Sequence, residues 1–152
     1  MGFGILHTDW FRISDFLARW LRRFFPRKTL GRRGEDEAAR YLQRLGYKIL
    51  ARGRRLVSGE LDLVALDGRT IVFVEVKTRT SQEVGHPADA VDAIKQRKLT
   101  RLAVTFMKRH GLLEYPARFD VVAITWPEGR GRPKIEHFKN AFEAVGEGEF
   151  FS

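Results

Sequence analysis

The stretch GELDLVALDGRTIVFVEVK, residues 59–77, contains two apolar runs on either side of an Asp67–Gly68 pair. Apolar runs separated by Asp-Gly are typical of a β-hairpin with a tight turn. The stretch also carries four charged residues, which packing alone would not place in an interior strand: Glu60, Asp62, Glu75 and Lys77. We therefore expect the hairpin to hold the functional residues.

The strand period predicts that these four side chains share one face of the sheet, because side chains two residues apart in a strand point to the same side. If Asp67–Gly68 is a two-residue turn, Asp62 lies opposite Phe73 and Glu60 lies opposite Glu75. A four-residue turn would instead place Asp62 opposite Glu75. Either turn keeps the charged residues together, and only an odd-length loop would separate them.

Three carboxylates and one ammonium in so small a patch need a further partner. Two carboxylates about 5 Å apart repel by roughly 3 kcal/mol at an effective dielectric constant of about 20. Lys77 offsets one negative charge, and a divalent cation with oxygen ligands, Mg²⁺ or Mn²⁺, would compensate the others. The alternative is that Glu60 and Glu75 reach solvent at the edge of the sheet while Lys77 pairs with one of them.

A helix predicted over residues 34–45 brings a further carboxylate toward the sheet. Ala38, Ala39 and Leu42 form its apolar face, and Glu35 begins the same stripe. The macrodipole also favours an acid in the first turn, which would explain Glu35 without a function. Its inward direction favours a place in the site.

The rest of the sequence predicts more strands and a second helix. Strand patterns cover Tyr47–Leu56 and residues 118–125 and 134–138, and residues 89–110 have the apolar spacing of a helix. The predicted order is therefore α-β-β-β-α-β-β. This order indicates an α/β fold with a mixed sheet flanked by helices.

The positive charge of the chain is concentrated at its N-terminal end. The 152 residues carry a net charge of +9, and residues 1–33 alone hold eight Lys/Arg against two acids. The basic balance therefore describes this extension more than the folded domain. The absence of cysteine excludes a disulfide framework and a thiolate metal site, and it fits a cytoplasmic protein.

An amphipathic segment precedes the folded domain. Residues 9–25, DWFRISDFLARWLRRFF, have the spacing of a basic amphipathic helix. Their apolar residues do not form the run of about 20 that would be needed to span a bilayer. Such a helix could pack on its own domain, join a second copy in a homodimer, or lie on an anionic membrane surface. We divide the chain into this N-terminal extension, a folded domain and a loose acidic tail: residues 1–30, 31–143 and 144–152.

Four motifs of the folded domain resemble the bacterial UPF0102 (YraN) family: GRRGEDEAARYLQRLGYKIL, GELDLVALDG, VFVEVKTR and RFDVV. The resemblance covers about residues 31–143. Members of this family look like restriction-endonuclease-like PD-(D/E)XK nucleases and are most similar to archaeal Holliday-junction resolvases. The resemblance therefore implies a PD-(D/E)XK core with nuclease activity.

The resemblance also implies roles for the charged residues. Asp62 and Glu75 would be metal ligands, and Lys77 would be the motif lysine of the nuclease core. Glu35 matches the helix-borne acid that resolvase-like members add as a catalytic and metal-binding residue. Glu60, in the G-E-[IL]-D stretch of the family, would be an accessory acid.

Basic residues near the hairpin are candidates for binding DNA phosphates. The resemblance adds Gln96, which matches a position that some members use near the site, and it places Gly53 where many relatives have Asn. The candidate nucleic-acid-binding residues precede the hairpin or lie on the second helix: Arg52, Arg54, Arg55, Lys95, Gln96, Lys98 and Arg101.

Together these features predict a Mg²⁺- or Mn²⁺-dependent endonuclease that hydrolyses phosphodiester bonds of structured or branched DNA. The sequence shows no recognition helix or base-reading motif, which favours recognition of DNA structure. Two alternatives stay open: a nuclease-fold module that binds nucleic acid without cutting it, and a scaffold tethered to a membrane or partner through residues 9–25. Action on a four-way junction would favour a two-fold homodimer.

Overall fold

The computed structural model describes residues 29–81 and 91–146. Seven elements follow one another there: helix α1 (Leu30–Arg44), strands β1 (Lys48–Leu56), β2 (Gly59–Asp67) and β3 (Thr70–Thr80), helix α2 (Ala93–His110), and strands β4 (Ala117–Trp126) and β5 (Lys134–Phe142). The predicted mixed α/β fold and its element order are confirmed. The predicted helix over residues 9–25 lies outside the described residues. Neither α1 nor α2 has the length and apolar character needed to cross a membrane.

The five strands form one sheet in the order β1-β2-β3-β4-β5. Neighbouring strands are antiparallel except β3 and β4, which are parallel and are joined through α2. The two faces of the sheet bury separate apolar clusters. Leu42 of α1 packs with Leu63 on one face, and Phe106 of α2 packs with Val64 and Phe73 on the other.

Helix α1 begins one turn earlier than the predicted residue 34. The Thr29 hydroxyl accepts a hydrogen bond from the backbone N–H of Arg32 at 3.3 Å and so caps the helix at Leu30. Glu35 consequently lies in the second turn of α1, and its predicted position at the helix N-terminus is wrong. The helix approaches the sheet closely at Gly34, where a Cβ would overlap the hydroxyl oxygen of Thr78.

The β2–β3 turn consists of Gly68 and Arg69 rather than the predicted Asp67–Gly68 pair. Asp67 is still paired with Thr70, and Gly68 takes the positive φ of 61° that a hairpin turn of this length needs at its first central residue. Although this turn has two residues, the register is the one predicted for a four-residue turn, which places Asp62 opposite Glu75. Leu63 pairs with Val74, and the next positions along the two strands are Asp62 and Glu75.

Helix α2 begins at Ala93, after the predicted residue 89. The Asp92 carboxylate accepts the backbone N–H of Lys95 at 2.8 Å, which fixes the start of the helix, and Gly111 ends it with a left-handed φ of 65°. Because β3 and β4 are parallel, α2 runs back across the sheet and its N-terminus lies near the end of β3 that carries Glu75 and Lys77.

Candidate functional site

Strands β2 and β3 separate at Asp62. Their last backbone pair is Leu63 with Val74, and beyond it the Oδ2 atom of Asp62 accepts the backbone N–H of Val76 at 2.8 Å. A side chain thus takes the place of a backbone carbonyl in the ladder. This hydrogen bond holds the Asp62 carboxylate against β3, beside Glu75.

Glu75 is a buried carboxylate held by two lysines. Its side chain is only 6% exposed, and its Oε1 atom lies 3.0 Å from Nζ of Lys77 and 2.9 Å from Nζ of Lys95. Lys77 comes from the same strand, whereas Lys95 comes from the first turn of α2. Partial burial is the largest single effect and lowers the Lys95 pKa, but the hydrogen bond to Glu75 and the charges of Glu75 and Asp62 together outweigh it and raise the pKa.

The charge of Asp62 is compensated less well than that of Glu75, because Lys77 and Lys95 form their ion pairs with Glu75. Burial is the largest cause and, with the nearby charges of Glu75 and Glu35, it raises the pKa of the Asp62 carboxyl to about 7. The N–H of Val76 acts in the opposite direction, as does the more distant charge of Lys95. A carboxyl with such a pKa binds a proton or a cation readily near neutral pH.

Glu60 lies apart from the other charged residues of the hairpin. Leu61 packs in the α2-side cluster and Leu63 in the α1-side cluster, so the two-residue alternation breaks at Asp62. The prediction that all four charged side chains share one face is therefore wrong for Glu60. The alternation assumes a regular ladder, and the ladder ends where Asp62 bonds to Val76.

Glu35 and Glu60 meet over Gly53 in an open cleft of about 290 Å³, close enough to the pair for the charge of Glu35 to act on Asp62. A Cβ at Gly53 would lie 3.2 Å from Oε1 of Glu60 and 3.8 Å from Oε2 of Glu35, and its φ of 51° is left-handed. Partial burial and the charge of Glu60 raise the pKa of Glu35. The cleft also carries Arg32, Asp36, Arg52 and Arg55.

The Asp62–Glu75 pair is the part of the site suited to a metal ion. Within residues 29–81 and 91–146, no three His, Cys, Asp or Glu side chains converge as a set of metal ligands, so Glu35 does not complete a cluster with the pair. Carboxylate oxygens are the ligands that Mg²⁺ and Mn²⁺ prefer, and Mg²⁺ commonly uses one or two carboxylates with waters and phosphates. The incompletely compensated charge of Asp62 fits such a cation.

The predicted nucleic-acid-binding residues are distributed over several surfaces. Arg52 lies 3.7 Å from Asp36, and Arg55 lies 3.4 Å from Glu60 in the Gly53 cleft. Arg54 lines a different cavity, of about 400 Å³ and largely apolar, beside Phe106.

The α2 members of this set are also separated. The Gln96 side chain donates to the carbonyl of Val91 at 2.9 Å, and Lys98 lies beside Gly59 at the start of β2. Arg101 is exposed on the helix. All seven residues lie in the described part of the chain, and among them Lys95 alone forms an ion pair with the Asp62–Glu75 pair.

Sequence reasoning missed the contact between Lys95 and Glu75, since Lys95 was assigned only to a DNA-binding face. The first turn of a helix disfavours a positive charge, but the capping Asp92 already supplies an anion near Lys95, so the sequence contains no clear signal of the contact with Glu75.

A second buried polar cluster also escaped prediction, on the α1 side of the sheet. The fully buried Asp120 accepts hydrogen bonds from Arg118 at 2.9 Å and from the backbone of Asn140 at 3.0 Å, and it lies 2.8 Å from Nε2 of His137. Arg118 also contacts Asp67 at 2.9 Å. These partners lower the pKa of Asp120 against the effect of burial. The cluster ties together β2, β4 and β5, and we assign it to stability.

Sequence comparisons agree with the resemblance seen in the motifs. The model of the uncharacterised protein family UPF0102 matches residues 34–124. A UPF0102 protein of Rhodopirellula baltica is 49% identical over 125 residues, covering 80% of this chain and 75% of the relative. One of Geobacter sulfurreducens is 52% identical over 118 residues, covering 76% and 90%, and one of Symbiobacterium thermophilum is 48% identical, covering 77% and 98%. The chain belongs to the UPF0102 family.

Proposed function

We propose that this protein is a metal-dependent endonuclease with a PD-(D/E)XK-like core that hydrolyses phosphodiester bonds of structured or branched DNA. The observation that carries the proposal is the Asp62–Glu75 pair, held at the end of the hairpin beside two lysines. This arrangement is similar to the nuclease core that the motifs resemble. It consists of one acid, Asp62, then a second acid, Glu75, and a lysine two residues later, Lys77, on a mixed sheet with α1 on one face.

In this proposal Asp62 and Glu75 hold Mg²⁺ or Mn²⁺ through their carboxylate oxygens. A bound divalent ion lowers the pKa of a water ligand and stabilises negative charge on the phosphate oxygens. Asp62 is kept in place by the N–H of Val76, so its carboxylate needs little rearrangement to bind a cation. Glu35 and Glu60 line the neighbouring cleft and are accessory acids.

The lysines provide positive charge where the substrate phosphate would lie. Lys77 is partly exposed, at 27% of its side chain, and can hold the attacking water or stabilise charge that develops on the phosphate. The arginines of the Gly53 cleft and the exposed residues of α2 would contact neighbouring phosphates of the strand.

The test is cleavage of labelled linear, flapped and four-way-junction DNA in Mg²⁺, Mn²⁺ or EDTA. Asp62→Asn and Glu75→Gln preserve shape while removing charge, and Glu114→Gln is the matched control at an exposed glutamate. We expect cleavage that needs metal, is lost in both site variants and persists in the control. Cleavage that survives both substitutions would exclude the proposed site.

One observation favours a second candidate, a module that binds DNA without cutting it. Lys77 and Lys95 both form ion pairs with Glu75, so the charge of Glu75 does not depend on a metal ion for compensation. Intact DNA binding with no cleavage in any metal would support this second function.

A further inference from the structure

The charges around Glu75 balance without a metal ion. Two carboxylates, those of Asp62 and Glu75, lie near two ammonium groups, those of Lys77 and Lys95. A divalent cation added to this set would leave a surplus of positive charge in a partly buried place. A phosphodiester brings negative charge and would reduce this surplus, so cation and phosphodiester each favour the binding of the other.

Lys95 is the more exposed of the two lysines that contact Glu75. It reaches Glu75 from α2, and its side chain is 39% exposed compared with 27% for Lys77. It also lies in the first turn of the helix, where the macrodipole opposes a cation and favours a bound anion. A phosphate at this helix end would offer Lys95 an alternative partner within reach of solvent.

We propose that Lys95 is the counter-ion of Glu75 in the metal-free protein and transfers to a DNA phosphate when a divalent cation binds, which makes cation and DNA binding cooperative. The inference rests on the proposed metal site and adds the residue that couples it to the substrate. Lys95 is thus a positioning residue in the free protein and a phosphate-binding residue in the complex.

The first measurement is Mn²⁺ binding to the DNA-free protein, by electron paramagnetic resonance of unbound Mn²⁺. Lys95→Met removes the competing ammonium and should tighten Mn²⁺ binding by about tenfold, equivalent to about 1.4 kcal/mol. Lys108→Met is the matched control, because it removes the same charge from the far end of α2. Lys95→Arg keeps the charge and should stay near wild type. Thermal unfolding followed by circular dichroism checks that each variant folds.

The second measurement is the affinity for a fluorescent four-way junction, by anisotropy in EDTA and in Ca²⁺, an ion that also takes oxygen ligands. In wild type, Ca²⁺ should tighten DNA binding. In Lys95→Met the ratio of the DNA affinity in Ca²⁺ to that in EDTA should be smaller by about fivefold or more, since the coupling passes through Lys95. The Lys108→Met protein should keep the wild-type ratio.

The outcomes separate the inference from the proposed function. If wild type binds Mn²⁺ and cleaves DNA while Lys95→Met binds Mn²⁺ no more tightly, the inference is overturned and the nuclease proposal stands. Tighter Mn²⁺ binding by Lys95→Met, together with weaker coupling between cation and DNA binding, supports the inference. If no protein binds Mn²⁺ and none cleaves DNA, both proposals fail.

Discussion

Among single residues, Asp62 combines a buried carboxylate with an acidic neighbour, and its pKa is raised from 3.8 to about 7, first by burial and then by Glu75. The folded protein holds the Asp62 proton more tightly than the unfolded chain does. The contribution of Asp62 to stability is therefore fully present below about pH 4 and is lost as the pH rises toward about 7. At neutral pH and above, the metal-free protein is destabilised by this charge.

We expect Asp62→Asn to stabilise the metal-free protein in EDTA at pH 8. A pKa change from 3.8 to about 7 corresponds to about 4 kcal/mol, and partial contact with solvent reduces this to about 2 kcal/mol in the free energy of unfolding. Urea unfolding at pH 8 and pH 4 measures the effect, which should fall toward zero at the lower pH. A variant less stable than wild type at pH 8 would contradict a destabilising effect of the buried Asp62 charge.

Gly53 is the second residue with a sharp prediction. Its φ of 51° is left-handed, which Asn tolerates better than other side chains, and a Cβ there would lie 3.2 Å from Glu60. Gly53→Ala should cost about 1–2 kcal/mol of stability, and Gly53→Asn should cost less. Thermal unfolding of both variants decides this. Equal losses would mean that the contact with Glu60 matters more than the backbone conformation.

The limits of sequence reasoning are clearest at this scale. The positions of Asp62, Glu75 and Lys77 followed from strand alternation, which is a local property of a regular ladder. The displacement of Glu60 did not follow, because it depends on the hydrogen bond that ends the ladder. The contact of Lys95 with Glu75 is a tertiary contact between α2 and β3, and no local pattern encodes its distance.

At the scale of elements, α1 packs against β3 with almost no clearance at Gly34. A helix-interior Gly→Ala substitution in open solvent would stabilise by up to about 1 kcal/mol. Here the added methyl would meet the Thr78 side chain, so we expect Gly34→Ala to destabilise by about 2 kcal/mol. Urea unfolding at equilibrium measures the change.

A double-mutant cycle tests whether the cause is the contact with Thr78. The Thr78 hydroxyl is buried without a hydrogen-bond partner in the part of the chain that the structure describes, so Thr78→Ala removes little favourable bonding there. In that background Gly34→Ala should cost at least about 1 kcal/mol less than in wild type. Additive losses would place the strain elsewhere in α1.

The elements themselves were predicted well, and their ends less well. Apolar periodicity predicts all seven elements, most weakly β5, whereas it does not predict the first turn of α1, because the basic residues before Gly34 have the composition of a linker. Thr29 was the overlooked capping signal. In the hairpin, Gly68 was recognised as a turn residue, but the last paired position, Asp67, was assigned to the turn as well.

For the whole molecule, the described apolar clusters extend from Ala38 to Ala144. We therefore expect a chain lacking residues 1–28 to unfold within a few degrees of the full chain and to cleave junction DNA at a similar rate. Sedimentation and binding to anionic vesicles, compared for both chains, would show what the extension contributes. Loss of cleavage in the shortened chain would mean that residues 1–28 belong to the site.

Both outer strands of the sheet are irregular. In β1 the pairing shifts at Leu50 between Ile49 and Ala51, and Gly53 has a left-handed φ. In β5 the pairing with β4 shifts near Asp120, Asn140 has a φ of 48°, and the backbone N–H of Asn140 is taken by Asp120. Neither margin offers an unbroken row of backbone groups to another strand. Two copies that act together on a branched DNA would therefore join through helical faces or side chains, and not by extending a continuous sheet from one subunit into the next.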